Sequence, residues 1–80
     1  MLCYEVRYKT NADTDSGYWP LGPHRSRDRA LATFNSIYAS KERLGAFTFN
    51  ETGPFLPHYN LVERDERNVE QAMMPLYKVE

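Results

Sequence analysis

The residue types most often used in metal binding and nucleophilic catalysis occur in this sequence as isolated examples. The two histidines are His24 and His58, and the one thiol is Cys3, close to the start of the chain. A zinc site needs three or four converging ligands, usually in short paired spacings, and no such spacing is present. No histidine stands near Cys3 in the sequence, so a Cys–His nucleophilic pair is not indicated. We therefore expect no metal site and no cysteine nucleophile.

Carboxylates and glycines give no clearer sign of catalysis. Asn11, Asp13 and Asp15 alternate like the start of a calcium loop, but such a loop needs glycine at its sixth position and glutamate at its twelfth. Those positions hold Ser16 and Gly22, which favours a solvated turn. The four glycines are scattered singly and form no phosphate-binding loop. The sequence thus predicts a protein that is not an enzyme and carries no cofactor.

The basic cluster Arg25, Arg27 and Arg29 coincides with a predicted helix start at Ser26. Free backbone amides at a helix N-terminus, together with guanidinium groups, can hold a phosphate or a carboxylate. The alternative is a solvated helix start whose charge is partly neutralised by Asp28. This cluster is the best local candidate for contact with an anion.

Composition indicates one small folded domain over residues 1–80. The net charge is −1, from 10 basic and 11 acidic residues, and 14% of the residues are aromatic. Low charge with many rings argues against disorder. Only 12 residues are Ile, Leu or Val, against 11 that are Phe, Trp or Tyr, so the core must be built largely from rings. No signal peptide and no apolar run of roughly 20 residues is visible, so we expect a cytoplasmic protein that does not contact a membrane.

Periodicity predicts the elements that position these residues. Residues 2–8 alternate with a period of two, which indicates a strand with one aromatic-aliphatic face and one polar face. Residues 11–17 have turn chemistry, and residues 18–21 suit a short second strand at a sheet edge. Apolar residues at three- and four-residue spacing predict a helix over 26–44, ended by Gly45. Its predicted apolar face consists of Ala30, Leu31, Phe34, Ile37, Tyr38, Lys41 and Leu44.

The second half of the chain predicts further strands at residues 46–50, 59–64 and 76–79. Residues 65–74 suit either a short helix or a hairpin, and the sequence leaves both open. The predicted fold class is α+β, with one amphipathic helix packed on an antiparallel sheet of about four strands. With a helix at 65–74, the order would become the ferredoxin-like β-α-β-β-α-β.

Apolar and charged residues in irregular segments are the candidates for binding. Residues 73–77 add a soft, methionine-rich patch, and residues 63–67 form a mixed-charge stretch. Trp19 has an alternative role, which is to fold back and complete the core. The predicted partner-binding residues are Tyr18, Trp19, Arg25, Arg27, Arg29, Phe55, Glu63, Asp65 and Glu66.

These features favour a small non-catalytic domain that binds another macromolecule, either a protein or a nucleoprotein complex. In size, compact α+β pattern and lack of catalytic motifs, the chain resembles anti-CRISPR proteins, the phage-encoded inhibitors that block a bacterial defence complex. No residue motif carries this resemblance, so it implies a role and no site residues.

Two other function classes remain open at this point. A nucleic-acid-binding module would use aromatic residues of the sheet together with the Arg25, Arg27 and Arg29 cluster, although the net charge of −1 opposes it. An enzyme or small-ligand carrier would need a deep pocket with His24 or His58 beside a carboxylate. Homodimerisation is compatible with every class.

Overall fold

The computed structural model describes residues 1–8 and 24–80 in full and residues 9–11 and 14–18 by their backbone. This part of the chain contains one helix, a π-helical continuation of it, and five strands. Their bounds are β1 Cys3–Asn11, β2 Thr14–Tyr18, α1 Arg27–Phe34, β3 Phe47–Thr48, β4 Phe55–Arg64 and β5 Glu70–Lys78. The strands form one antiparallel sheet in the order β2-β1-β4-β5-β3, and α1 packs on one face of it. The predicted α+β class is confirmed, and the short β3 brings the strand count to five.

The helix begins where the sequence predicts, but its buried face shifts part-way along. The Ser26 hydroxyl accepts a hydrogen bond from the Arg29 backbone N–H at 3.3 Å, which caps the first turn. Beyond α1 the backbone is π-helical over Asn35–Ala39. A π turn contains an extra residue, so side chains after it rotate away from the positions expected for an α-helix. Ala39 is therefore buried, whereas Ile37, predicted to be in the core, is 46% exposed.

The first hairpin is longer than its turn-rich sequence suggests. Strand β1 continues to Asn11 and β2 begins at Thr14, so the prediction of a turn throughout 11–17 is wrong. Register shifts in the pairing accommodate the turn-favouring residue types within the ladder as bulges. Tyr18 ends β2 opposite Arg7, and Trp19 lies outside the described residues together with the rest of the predicted strand at 18–21.

The segment 65–74 forms a hairpin turn and the start of β5, so the ferredoxin-like alternative is wrong. Asp65 organises the turn, because its Oδ1 accepts hydrogen bonds from the backbone N–H groups of Arg67 and Val69, each at 2.9 Å. Asn68 adopts a positive φ of 65°, which asparagine tolerates better than most residues. This local turn chemistry outweighs the helix propensity of the residues that follow it.

The composition predicts a core built largely from rings, and the structure corrects this: most buried side chains of the core beneath α1 are aliphatic, and a row of rings completes it. The rings of Phe34 and Phe47 lie 5.1 Å apart, and Phe47 and Tyr59 are 5.0 Å apart in an edge-on arrangement. Tyr8 extends this row at 5.1 Å from Tyr59. Aromatic pairs at these distances add to the free energy gained by burying their area.

Alkaline pH is expected to destabilise this ring cluster. Burial raises the pKa of Tyr59 above its usual value of 10.0, and the nearby Tyr8 and Glu42 raise it further. The folded chain therefore holds the neutral phenol more strongly than the unfolded chain does. Stability should be intact below pH 10 and should fall as pH rises from there through the folded pKa. Thermal melts across this range should show a smaller loss for Tyr59→Phe, and an identical loss would contradict the assignment.

Candidate partner-binding surface

Strand β5 divides its side chains between the two faces of the sheet. Leu76 is fully buried in the core beneath α1. Because side chains alternate along a strand, Met73, Pro75 and Tyr77 project from the other face. The cross-strand neighbour of Tyr77 is Phe55, at the start of β4, so these two side chains share that face.

The result is a row of apolar side chains on the face away from α1. We call Phe55, Met73, Pro75, Tyr77 and Val79 the β5 stripe. Phe55 is 56% exposed, and Met73 and Val79 are each 51% exposed. The rings of Phe55 and Tyr77 contact each other with centroids 5.7 Å apart. Single exposed apolar residues are common on protein surfaces, but a contiguous set is typical of a binding site.

A buried arginine lies on the same face of the sheet as the stripe, because Arg7 pairs with Asn60 and Asn60 pairs with Pro75. Arg7 is only 4% exposed. Its Nε donates to Asn60 Oδ1 at 2.9 Å, its Nη1 pairs with Glu70 Oε1 at 2.7 Å, and its Nη2 lies 3.2 Å from the Met73 sulfur. One guanidinium thus joins β1, β4 and β5 and contacts a residue of the β5 stripe.

Sequence reasoning places Arg7 on the polar face of β1 but gives no sign that it is buried. Its partners Asn60 and Glu70 lie 53 and 63 positions later in the chain, so no local pattern links them. Alternation indicates which face a side chain takes. Whether that face is covered depends on the tertiary fold.

The predicted carboxylates at the β4–β5 turn have partners within the chain. Glu63 Oε2 accepts a hydrogen bond from the Tyr4 hydroxyl at 2.9 Å, and Asp65 holds the turn. The exposed Glu66 pairs with the amino group of Met1 at 2.8 Å. Glu63 pairs with Ala72, next to Met73, but its side chain lies with Tyr4 on the face of the sheet that carries α1, opposite to the β5 stripe. The structure does not bring them together with the β5 stripe.

The predicted arginine cluster is exposed, and the helix spreads it over different directions. Residues two positions apart on a helix do not face each other, so Arg27 and Arg29 lie on different sides of α1. Arg25 precedes the cap. Arg27 turns towards β5, where its Nη1 lies 3.8 Å from the Met74 sulfur.

A groove separates the start of α1 from the outer side of β5. Its volume is about 350 Å³. A second groove of about 260 Å³ lies at the other end of the helix, beside the core tyrosines. The described lining of both grooves contains no histidine. The described residues around the first groove are Arg27, Asp28, Phe49, Asn50, Met74 and Pro75.

The predicted binding residues whose side chains are described therefore fall in separate places. Among those with described side chains, Phe55 alone belongs to the β5 stripe, and Arg27 alone lines the groove beside it. The sequence indicates a soft patch that contains Met73, Pro75 and Tyr77 but does not predict it as the binding site. The signal that could have found the stripe is their spacing of two residues, which continues to Val79.

Neither a metal-binding cluster nor a membrane-spanning helix occurs among the described residues. Within residues 1–8 and 24–80, no three side chains of His, Cys, Asp or Glu come close enough to hold a metal ion. No helix in these ranges has the length and apolar character required to cross a bilayer. Comparison of the chain with protein-family models, with curated proteins and with solved structures gave no match.

Proposed function

We propose that this chain is a small, non-catalytic protein-binding domain that contacts its partner through the β5 stripe. The observation that carries the proposal is that Phe55, Met73 and Val79 are each more than half exposed on the same face of the sheet. Aromatic and methionine side chains are enriched at the centres of protein interfaces. Covering these side chains would remove apolar area from water, which is the main favourable contribution to association.

The contacts that hold the stripe in place suit a binding role. Arg7 fixes Met73, and the ring of Tyr77 contacts Phe55, so the apolar surface is held in place before a partner arrives. A surface ordered in advance loses less conformational entropy on binding than a mobile one. The proposed interface is therefore a rigid sheet face.

A narrower proposal concerns the biological role. A small domain that binds and covers the surface of a larger complex can act as an inhibitor, in the manner of the anti-CRISPR proteins that the chain resembles. The support for this role is the short length of 80 residues, the α+β fold and the exposed binding face.

The placement of the rings favours a protein partner over a nucleic acid. Tyr8, Phe47 and Tyr59 contact one another in the core beneath α1, so their faces are used by the fold. Stacking on bases requires exposed rings, usually beside a positively charged groove. The net charge of −1 supplies no general attraction to phosphates.

Affinity capture from the native host with paired variants tests the proposal. The Phe55→Ser/Val79→Ser double variant removes two exposed side chains of the stripe, and Ile37→Ser removes an equally exposed apolar side chain from the helix. We expect the double variant to lose the partner proteins that the wild type captures, and Ile37→Ser to retain them. Both variants should first show cooperative thermal melts. Retention of every partner by the folded double variant would contradict the proposal.

A further inference from the structure

We propose that the outer edge of β5 binds an extended segment of the partner protein as an additional strand of the sheet. This inference rests on the proposed protein-binding function and specifies how the partner engages. An exposed strand edge presents backbone donors and acceptors in a row, and another extended backbone complements them directly.

Backbone hydrogen bonds show which groups of β5 point outward. The Lys78 N–H donates to the Pro54 carbonyl on the β4 side at 2.9 Å, whereas the Val79 N–H donates to the Ala46 carbonyl on the opposite side at 2.9 Å. In an antiparallel strand, successive residues direct their N–H and C=O groups to alternate sides. The residues whose backbone groups face away from β4 are therefore Val79, Tyr77, Pro75 and Met73.

Strand β3 covers only the last part of this edge. Thr48 pairs with Tyr77, and among the described residues no strand pairs with the outer side of 70–76. Pro75 fits an edge position because it has no N–H to leave unpaired. The N–H and C=O of Met73 and the C=O of Pro75 are thus the groups that an added strand would meet.

The groove of about 350 Å³ lies where the side chains of such a strand would go. It runs beside β5, between the start of α1 and the segment that follows β3. Alternate side chains of an added strand would enter it against Phe49 and Met74, and the others would lie next to Met73 on the face of the β5 stripe. Arg27 and Asp28 stand together at its rim and give no net charge preference. The expected segment is therefore extended, with apolar residues at alternate positions.

A second copy of this chain suits the edge less well. In an antiparallel self-pair, each copy would contribute both its proline at 75 and the irregularity in register near Glu70. The proline of one copy and the irregularity of the other would then meet at each end of the shared strand pair, and only residues 72–74 could form regular hydrogen bonds. A segment of another protein would bring no such proline or irregularity of its own, so each would interrupt the strand pair once.

Selection from a phage-displayed library of random linear peptides provides the probe. A selected peptide is synthesised, and its dissociation constant is measured against wild type, Met73→Pro and Met73→Val. Proline removes one outward N–H, while valine removes the same thioether and keeps the backbone donor. We expect Met73→Pro to weaken binding by about tenfold more than Met73→Val does, since a lost hydrogen bond leaves a peptide carbonyl unpaired. Melting curves establish that both variants are folded.

A scan of N-methylation along the peptide backbone gives an answer even if Met73→Pro fails to fold. Strand pairing predicts that binding is lost when every second peptide position is N-methylated and retained at the positions between them.

Three outcomes would overturn the proposal: equal binding to both folded variants, a scan without alternation, or a library that yields no binder. A wild-type dimer that Met73→Pro abolishes would assign the edge to a second copy and overturn it as well. If capture of the partner still depends on Phe55 and Val79, the proposed function stands while the edge-pairing mode is rejected.

Discussion

Replacing Arg7 with alanine is expected to lower the free energy of unfolding by about 3 kcal/mol, since it leaves the buried amide oxygen of Asn60 without its donor and removes a charged hydrogen bond to the partly exposed Glu70. The truncation leaves the buried amide of Asn60 and the carboxylate of Glu70 without their guanidinium contacts at 2.9 and 2.7 Å. Domains of this size are stable by only about 5–15 kcal/mol. Chemical denaturation should therefore show a much lower midpoint, with a melting temperature lower by about 15 °C.

Arg7→Lys is the matched control, because it keeps the positive charge and loses the planar fork. A lysine can reach Glu70 or Asn60 but cannot reproduce the three separate guanidinium contacts. We expect it to recover part of the lost stability. Wild-type stability in Arg7→Ala would show that the buried contacts contribute nothing net.

Gly53→Ala should be the second strongly destabilising change, at about 2–3 kcal/mol, the upper part of the range for overpacking. A Cβ at position 53 would lie far inside van der Waals contact of the backbone carbonyl oxygen of Lys78, and 3.0 Å from the Glu80 side chain. The obstacle is main chain, so relief requires movement of the end of β5. That movement would strain the hydrogen bond from the Lys78 N–H to the Pro54 carbonyl.

Gly45→Ala separates crowding from backbone conformation. Gly45 has a φ of 80°, and the nearest described atoms to an added Cβ belong to the Lys78 side chain at 3.9 Å, which is an ordinary contact. Its cost should be about 1 kcal/mol, from the left-handed backbone alone. Equilibrium denaturation of the two variants should rank Gly53→Ala as clearly the less stable, and the reverse order would contradict the close approach at Gly53.

The regular elements could be predicted from the sequence because their signals are local. The alternation of residues 2–8 predicts β1, and Ser26 marks the start of the helix. The shift at Ile37 could not be foreseen, because the apolar spacing assumes one uniform helical period and the π-helical segment changes it. The choice between a helix and a hairpin at 65–74 depended on side-chain contacts of Asp65 that only the folded turn supplies.

The candidate site could be predicted only in part. The irregular, proline-rich sequence around Phe55 makes it a candidate, although the structure places Phe55 on strand β4. Met73 and Val79 become candidates only through the strand pairing that puts them on one face with it. Arg7 illustrates the limit most clearly, since its burial comes from strands distant in sequence. Contacts between segments distant in sequence decide which faces of the sheet are covered. The two-residue alternation in the sequence carries no information about these contacts.

The most direct test of the proposed function is the affinity of the captured partner for two variants. The dissociation constant for the Phe55→Ser/Val79→Ser variant is compared with that for Ile37→Ser. If the β5 stripe is the interface, the double variant should bind about 100-fold more weakly, since two interface anchors at about 1.4 kcal/mol each are lost. Ile37→Ser should bind like the wild type. Equal dissociation constants for the two folded variants would contradict binding through the β5 stripe.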